Sequence, residues 1–224
     1  VSTIDKTFEI TWERAHGIRP SVRRKRVERK EARDANNEES SFQDGFAYVT
    51  NNPLPKRLFL YHRVIEAIRS AQHYIYITTP YFVPDRRIVR VLRLAARRGV
   101  DVRIVMPESS DHPIVDLAAR TFYTSLQKSG VSIYHHTKDF LHSKVIVIDD
   151  EWATMGTMNL DRLSLFYNSE ANIVTTNHPL IIELREYCMK QMRSSDRLDP
   201  LVWERRGFIQ KQLEFWVRFI RKFL

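Results

Sequence analysis

Residues 141–172 read LHSKVIVIDDEWATMGTMNLDRLSLFYNSEAN, and the architecture follows from them. Lys144–Ile148 is a nearly continuous apolar run, as expected of a strand at the centre of a sheet covered on both faces. Trp152–Met155 and Ala171–Thr176 are further strand-like runs. Side chains two apart on a strand share a face, so His142 and Lys144 project together from one sheet edge. Thr157 and Asn159 repeat the device just after Gly156, and Glu170 stands at the entry to the next strand. An ammonium and an amide there supply donors to the non-bridging oxygens of a phosphate. Imidazole serves as nucleophile or general acid/base near neutral pH, and a carboxylate such as Glu170 can hold its second nitrogen. Asp149 is an odd seven positions from His142. On a continuous strand it faces away, so it takes a structural role at the strand end.

Outward from this block, strands and helices alternate. The pattern predicts a helix over 58–71 with Leu60, Val64, Ile65 and Ile68 inward, then strand His73–Thr79. Tyr81 and Phe82 follow in a loop bracketed by Pro80 and Pro84, as exposed aromatics forming a wall of a cleft. A helix over Asp85–Arg98 ends at Gly99 and one over 113–129 at Gly130. Val100–Met106 and Val131–His135 read as strands, Phe46–Val49 as a short one. A helix over 179–193 turns Leu180, Leu184, Tyr187 and Cys188 inward. This alternation predicts an α/β fold, a layered α-β-α sandwich with a central mixed sheet. No block is repeated within the chain.

The 224 residues carry 36 Lys+Arg against 27 Asp+Glu, a net charge of +9, with 43% hydrophobic and 11% aromatic residues and one cysteine, Cys188. That composition excludes wholesale disorder, a disulfide framework and a multi-thiolate metal site. No run of about 18 apolar residues is present to span a bilayer. The excess charge is peripheral. Residues 19–33 hold eight basic and two acidic side chains, and residues 204–222 six and two. An anionic partner is implied, a membrane surface or a nucleic acid. Residues 1–16, with Ile4, Phe8 and Trp12 on one helical face, read as the end of a preceding domain. Residues 17–45 read as a basic, then polar, linker, and residues 46–195 as the catalytic domain. The first residue is Val1, so a piece of a longer or processed protein is expected.

His142-x-Lys144-x4-Asp149, followed by Gly156-Thr157-Met158-Asn159, resembles the HKD signature of the phospholipase D superfamily. Thr79–Asp85 (TPYFVPD), Ala95–Val100 (AARRGV), Asn159–Arg162 (NLDR) and Asn168–Glu170 (NSE) resemble the C-terminal half of bacterial cardiolipin synthases in order and spacing. The likeness runs from about Tyr48 to Arg193. It implies a two-step displacement at a phosphodiester through a phosphohistidine, with no metal or other cofactor, because paired Lys and Asn residues neutralise the phosphate. It implies catalytic roles for His142, Lys144, Asn159 and Glu170, with Glu170 orienting His142, structural roles for Asp149 and Gly156, and substrate contacts from Lys144, Thr157, Asn159, Tyr81 and Phe82. As the second-motif histidine, His142 is assigned the acid/base part rather than the nucleophile's.

Two departures stand out. Thr157 replaces the usual Ser but keeps the hydroxyl. The family's site needs two HKD motifs and this chain shows one, so the other half comes from an upstream domain or a second subunit. The reading is a cardiolipin synthase-like phosphatidyltransferase acting on phosphatidylglycerol-type phospholipid. The alternatives are a superfamily phosphodiesterase hydrolysing lipid or nucleic acid, and a catalytically silent half that only binds a membrane or a partner domain. The other histidines, His62, His73, His112, His135, His136 and His178, default to surface, capping or strand-end roles.

Residues 200–224 read as one basic amphipathic helix. Ile209, Leu213, Trp216, Ile220 and Phe223 form its stripe, with Trp203, Phe208, Phe215 and Phe219 beside it and Lys211, Arg218, Arg221 and Lys222 mainly opposite. That is the pattern of an interfacial membrane helix, the alternative being a face that docks on the domain. Membrane association, at the bacterial cytoplasmic membrane, is therefore expected, and nucleic acid is disfavoured as partner.

Overall fold

The computed structural model describes residues 44–52 and 57–221. The expected helix over 1–16, most of the linker over 17–45 and the last three residues lie outside them. The chain divides into two units, Val1–Tyr48 and Val49–Leu224. Strand β1 (Phe46–Asn52) spans the division, and the elements after it belong to the second unit.

After β1 come β2 (Arg57–Leu58), α1 (Phe59–Ser70), β3 (Tyr74–Thr78), β4 (Phe82–Val83), α2 (Arg86–Arg97), β5 (Asp101–Pro107), α3 (Pro113–Gln127) and β6 (Ser132–His136). Then follow β7 (Val145–Ile148), β8 (Trp152–Gly156), β9 (Leu160–Asp161), α4 (Arg162–Phe166), β10 (Glu170–Thr175), α5 (His178–Arg193), β11 (Ser195–Arg197), α6 (Pro200–Glu204) and α7 (Phe208–Ile220). Among the described residues nine strands form one sheet in the order β11-β6-β5-β3-β7-β8-β10-β1-β2, while β4 and β9 form a separate parallel ribbon. β3, β5 and β6 are parallel; β7 runs antiparallel to β3 and β8, and β8 antiparallel to β10. The sheet is mixed, as the alternation predicts.

Strand periodicity distributes the core. Tyr76, Val105, Val145 and Val147 pack with Ile181, Cys188 and Met192 of α5 on one face. Their neighbours Ile75, Ile77, Ile104, Ile146 and Ile148 point the other way and are also buried. That second face is covered by the crossover helices, α2 against β5 and α3 against β6. Asp85 starts α2 by accepting hydrogen bonds from the Arg87 and Ile88 N–H groups, an N-cap. Ile181, rather than Leu180, is the buried residue in the first turn of α5. β11 extends the sheet past residue 195 by pairing with β6. Its short polar sequence, Ser195–Arg197, carries no strand signal.

The helix expected over 200–224 is two helices, broken at Arg205–Gly207. Trp203 is buried against Tyr123 and donates to Thr124 Oγ1 at 3.0 Å, so it is not part of the exposed stripe. Arg221 is likewise turned inward, donating to Thr121 Oγ1 at 2.6 Å.

Candidate functional site

Register brings the candidate residues to one end of the sheet. Thr78 of β3 pairs with Val145 of β7, and Val145 with Met155 of β8, which pairs with Ile173 of β10. One step beyond each are Thr79, Lys144, Gly156 and Asn172. The ladder continues through Gly156 N–H to Lys144 O at 3.3 Å and Thr157 N–H to Ala171 O at 3.0 Å. Thr157 and Glu170 flank these last pairs. This is also the carboxyl end of the parallel strands β3 and β5, beside the point where strand direction reverses, where open α/β sheets hold ligands.

His142 and Lys144 sit in the extended segment just before β7 rather than on the strand itself. Alternation still sorts them. Ser143, between them, accepts a 2.8 Å hydrogen bond from Tyr187 OH of α5, while His142 is exposed and Lys144 half-buried. The Lys144 ammonium donates to the His142 carbonyl at 2.8 Å. Burial holds its pKa below that of an ordinary lysine, and the carboxylates of Glu170 and Asp161 push it back up. The His142 ring stacks on Phe140, centroids 5.4 Å apart and planes 12° apart. Among the described residues nothing hydrogen-bonds to that ring.

Glu170 is buried, and its carboxylate accepts a hydrogen bond from Thr157 Oγ1. The same hydroxyl accepts from Ala171 N–H at 3.0 Å. Thr157 is therefore engaged with Glu170 instead of pointing freely toward a phosphate, and Glu170 is held by Thr157 instead of by His142. In this structure both side chains thus bond to partners other than those the sequence suggests. The backbone of Thr157 pairs with Ala171, one residue past the end of β8, and its hydroxyl reaches diagonally to the carboxylate of Glu170, the first residue of β10.

Gly156 is required by close approach. A Cβ there would lie 2.3 Å from the Ala171 carbonyl and 2.6 Å from Asn172 Cα. Asn172 uses its side chain on the same loop, accepting from Met158 N–H at 3.2 Å and donating to Thr154 Oγ1 at 3.0 Å. The chain then enters β9, whose parallel pairing with β4 seats Phe82 opposite Leu160 and Val83 opposite Asp161. Asp161 caps α4 by accepting from Ser164 N–H at 2.8 Å. Asn159 is held between these elements. Its Nδ2 approaches Ser164 Oγ at 3.5 Å, and its Oδ1 is buried without a hydrogen-bond partner among the described residues.

Asp149 does stand at the strand end. With Asp150 it has positive φ, 53° and 56°, and Glu151 N–H closes the turn onto Ile148 O, the pattern of a type I′ hairpin turn. Its carboxylate accepts from the backbone N–H groups of Gln72, His73 and Tyr74, tying the start of β3 to the β7–β8 turn.

The cleft wall needs correcting at Phe82. That ring is 1% exposed and packs edge-on against Phe122, because the β4–β9 pairing draws it into the core. Tyr81 does reach the rim. Its hydroxyl donates to Asp111 at 2.6 Å and its ring lies 5.6 Å from His112. Burial, then Asp111, push the Tyr81 hydroxyl up to about 12. The Tyr81 hydrogen bond holds Asp111 below the ordinary carboxylate range, and His112 and His142 act in the same direction. Asp111, His112 and the 79% exposed Phe140 are neighbours that the motif reading passed over. The signal for the first two was position, a polar loop following the carboxyl end of parallel strand β5.

A family model described as cardiolipin synthase, PLD-like domain, matches residues 64–192. The probable cardiolipin synthase YwiE of Bacillus subtilis is 37% identical over 153 residues, covering 68% of this chain and 31% of that protein. A cardiolipin synthase of Clostridium perfringens is 34% identical over 176 residues, covering 79% of this chain and 37% of that one. The chain thus spans about a third of the length of these relatives. In fold it is similar to the phospholipase D family member Nuc from Salmonella typhimurium (TM-score 0.58, 23% identity, 68% of this chain and 98% of that one). It is also similar to phosphatidylserine synthase from Haemophilus influenzae (TM-score 0.59, 12% identity, 80% and 45%).

Proposed function

From the premise that the chain belongs to the family of cardiolipin synthases with a phospholipase D-like domain, we propose that it supplies one half-site of a phosphatidyltransferase acting on phosphatidylglycerol-type lipid. One observation carries this reading. The sheet register gathers Lys144, the Gly156–Asn159 loop and Glu170 at one end of β7, β8 and β10, beside an exposed imidazole, His142. Such a cluster offers one cation, one amide and one titratable ring to a phosphodiester at a surface open to substrate.

In the proposed reaction the histidine of the other half-site attacks phosphorus. The bond from phosphorus to the glycerol oxygen breaks as imidazolium His142 gives that oxygen its proton. Neutral His142 then takes the proton of an acceptor lipid hydroxyl. That oxygen attacks phosphorus, and the phosphorus–nitrogen bond breaks. Lys144 and Asn159 stabilise the charge on the non-bridging oxygens. Thr157 fixes Glu170, and Glu170 in turn keeps Lys144 charged despite its partial burial. The second half-site belongs to an upstream domain or to a second subunit, and the working location is the surface of the bacterial cytoplasmic membrane.

The test is His142→Ala in the complete enzyme, assayed with phosphatidylglycerol vesicles. Cardiolipin formation should fall by about 10²–10⁴-fold with the melting temperature unchanged. Undiminished cardiolipin would overturn the assignment. Release of phosphatidic acid without cardiolipin from the unmutated enzyme would make it a hydrolase.

A further inference from the structure

Helix α7 wears its polarity inside out. The face it turns toward α3 carries Glu214, Val217 and Arg221. Arg206, from the turn after α6, grips both oxygens of Glu214 at 2.8–3.1 Å and lies 4.2 Å from the Trp203 ring centroid. Arg221 sits 4.3 Å over Phe122. The outward face carries Phe208, Ile209, Leu213, Phe215, Trp216 and Phe219, exposed by 74, 76, 51, 48, 67 and 57%. At about 100° per residue these six cover an arc of about 160°. Phe215, Trp216 and Phe219 form a surface cluster of rings 5.5–6.2 Å apart.

A docked helix ordinarily buries its apolar stripe. The Arg206–Glu214 pair prevents that here. Rolling α7 to bury the rings would separate a pair of charges that are now desolvated together, and a buried charge without its partner is strongly unfavourable. The orientation is therefore built in, and the exposed arc calls for an occupant.

The charges around the arc identify it. Lys211 and Arg218 are exposed and border one edge of the arc, and Arg205 is exposed in the preceding turn. Between Arg205 and Arg221 the sequence has one acidic residue, Glu214, already taken by Arg206. Glu204 pairs with Lys128. A ring-rich arc bordered by cations that have no acidic partner among the described residues matches an anionic lipid interface. At 13 residues, about 20 Å, α7 is too short to span a bilayer, and no helix among the described residues is long and apolar enough to do so.

We propose that α7 is an interfacial anchor whose aromatic face enters the headgroup region of an anionic bilayer. It is held in that orientation on α3, the helix that follows the Asp111–His112 rim of the candidate site. Thr121 and Phe122, which receive Arg221, lie about 12–14 Å along α3 from its start. One rigid helix thus links the bilayer contact to the site. The inference deepens the lipid reading by naming the surface that meets the membrane, and it rests on that reading only for the nature of the occupant.

The test places an environment-sensitive dye on Ile209→Cys in the intact protein, where the buried Cys188 does not compete. Vesicles of phosphatidylcholine with phosphatidylglycerol should shift the dye emission to the blue. Phosphatidylcholine alone should do so at least tenfold less effectively, and high salt should weaken the response. The triple variant Phe215→Ser/Trp216→Ser/Phe219→Ser, altered only at exposed positions, should keep its melting temperature and bind at least tenfold more weakly. Equal binding by the triple variant, equal response to neutral vesicles, or a shift that follows protein concentration without lipid (a second copy as occupant) would each overturn the anchor. The dye is also read in the His142→Ala background. Anchoring without any transferase product in the unmutated enzyme would overturn the proposed function and leave the anchor. A silent dye beside normal cardiolipin formation would do the reverse.

Discussion

The Thr157 hydroxyl donates to the Glu170 carboxylate while accepting from the Ala171 N–H, so both of its hydrogen-bonding roles are filled within the β8–β10 edge. Glu170 is buried, and this bond fixes its position beside Lys144. The methyl group of Thr restricts χ1, which makes Thr a stiffer holder of the carboxylate than Ser.

Thr157→Val keeps the shape and removes the bond. It leaves a buried carboxylate short of a donor and free to shift, and displacements near 1 Å can lower turnover by about 10²-fold. The expected result is a fall in kcat of that order with KM for lipid little changed. Thr157→Ser, which restores the hydroxyl, should stay within about threefold of the parent, because ordinary staggered rotamers remain open to it. Steady-state kinetics on mixed micelles separates the two. A Thr157→Val enzyme with normal kcat would mean that Glu170 needs no holder.

Asp149 offers a stability test remote from the phosphate chemistry. Its carboxylate is the shared acceptor for three successive N–H groups at the start of β3, and its backbone has φ of 53°. Asp149→Ala removes the acceptor and places a less tolerant residue in the left-handed region. A loss of about 3 kcal/mol is expected, or about 6–12 °C in Tm for a domain of this size. Asp149→Asn tolerates the same backbone and keeps one oxygen acceptor, so it should lose about half as much. Calorimetric melts of the two variants check the order.

Most of this sheet was legible because its central strands have nowhere polar to go. Lys144–Ile148 is apolar at every position after the lysine, and Asp149 betrayed its structural role by an odd offset. The features that escaped are non-local or depend on which of two faces wins. Phe82 reads as a loop aromatic between prolines, and only its pairing with Leu160, far along the chain, makes it core. The stripe on α7 is plain in the sequence, yet its direction is set by Arg206 and Glu214, a contact across a helix break that periodicity does not see. Thr157 and Glu170 read as candidate site residues from the motif, but their mutual bond depends on the register of β8 against β10.

Lys144 supplies the pH test. Burial lowers its pKa from 10.5, with Glu170 and Asp161 only partly restoring it. Free enzyme therefore loses this cation at a lower pH than an ordinary lysine would. Binding of a non-reacting phosphodiester analogue, which needs no proton transfer, should therefore weaken at a pH below 10.5. Lys144→Arg keeps its charge throughout, so its binding should hold to higher pH even if its maximal rate drops. Stability has the opposite sign. Between the lowered folded pKa and 10.5 the unfolded chain binds more protons than the folded one, so the Lys144 contribution to stability rises with pH across that window. Below the window the folded protein bears the full cost of holding a partly buried ammonium. Lys144→Met should therefore be inactive yet melt slightly higher than the parent at neutral pH, with the difference shrinking as pH rises through the window. A melting difference that does not change with pH would mean that the lysine is not desolvated as its surroundings indicate.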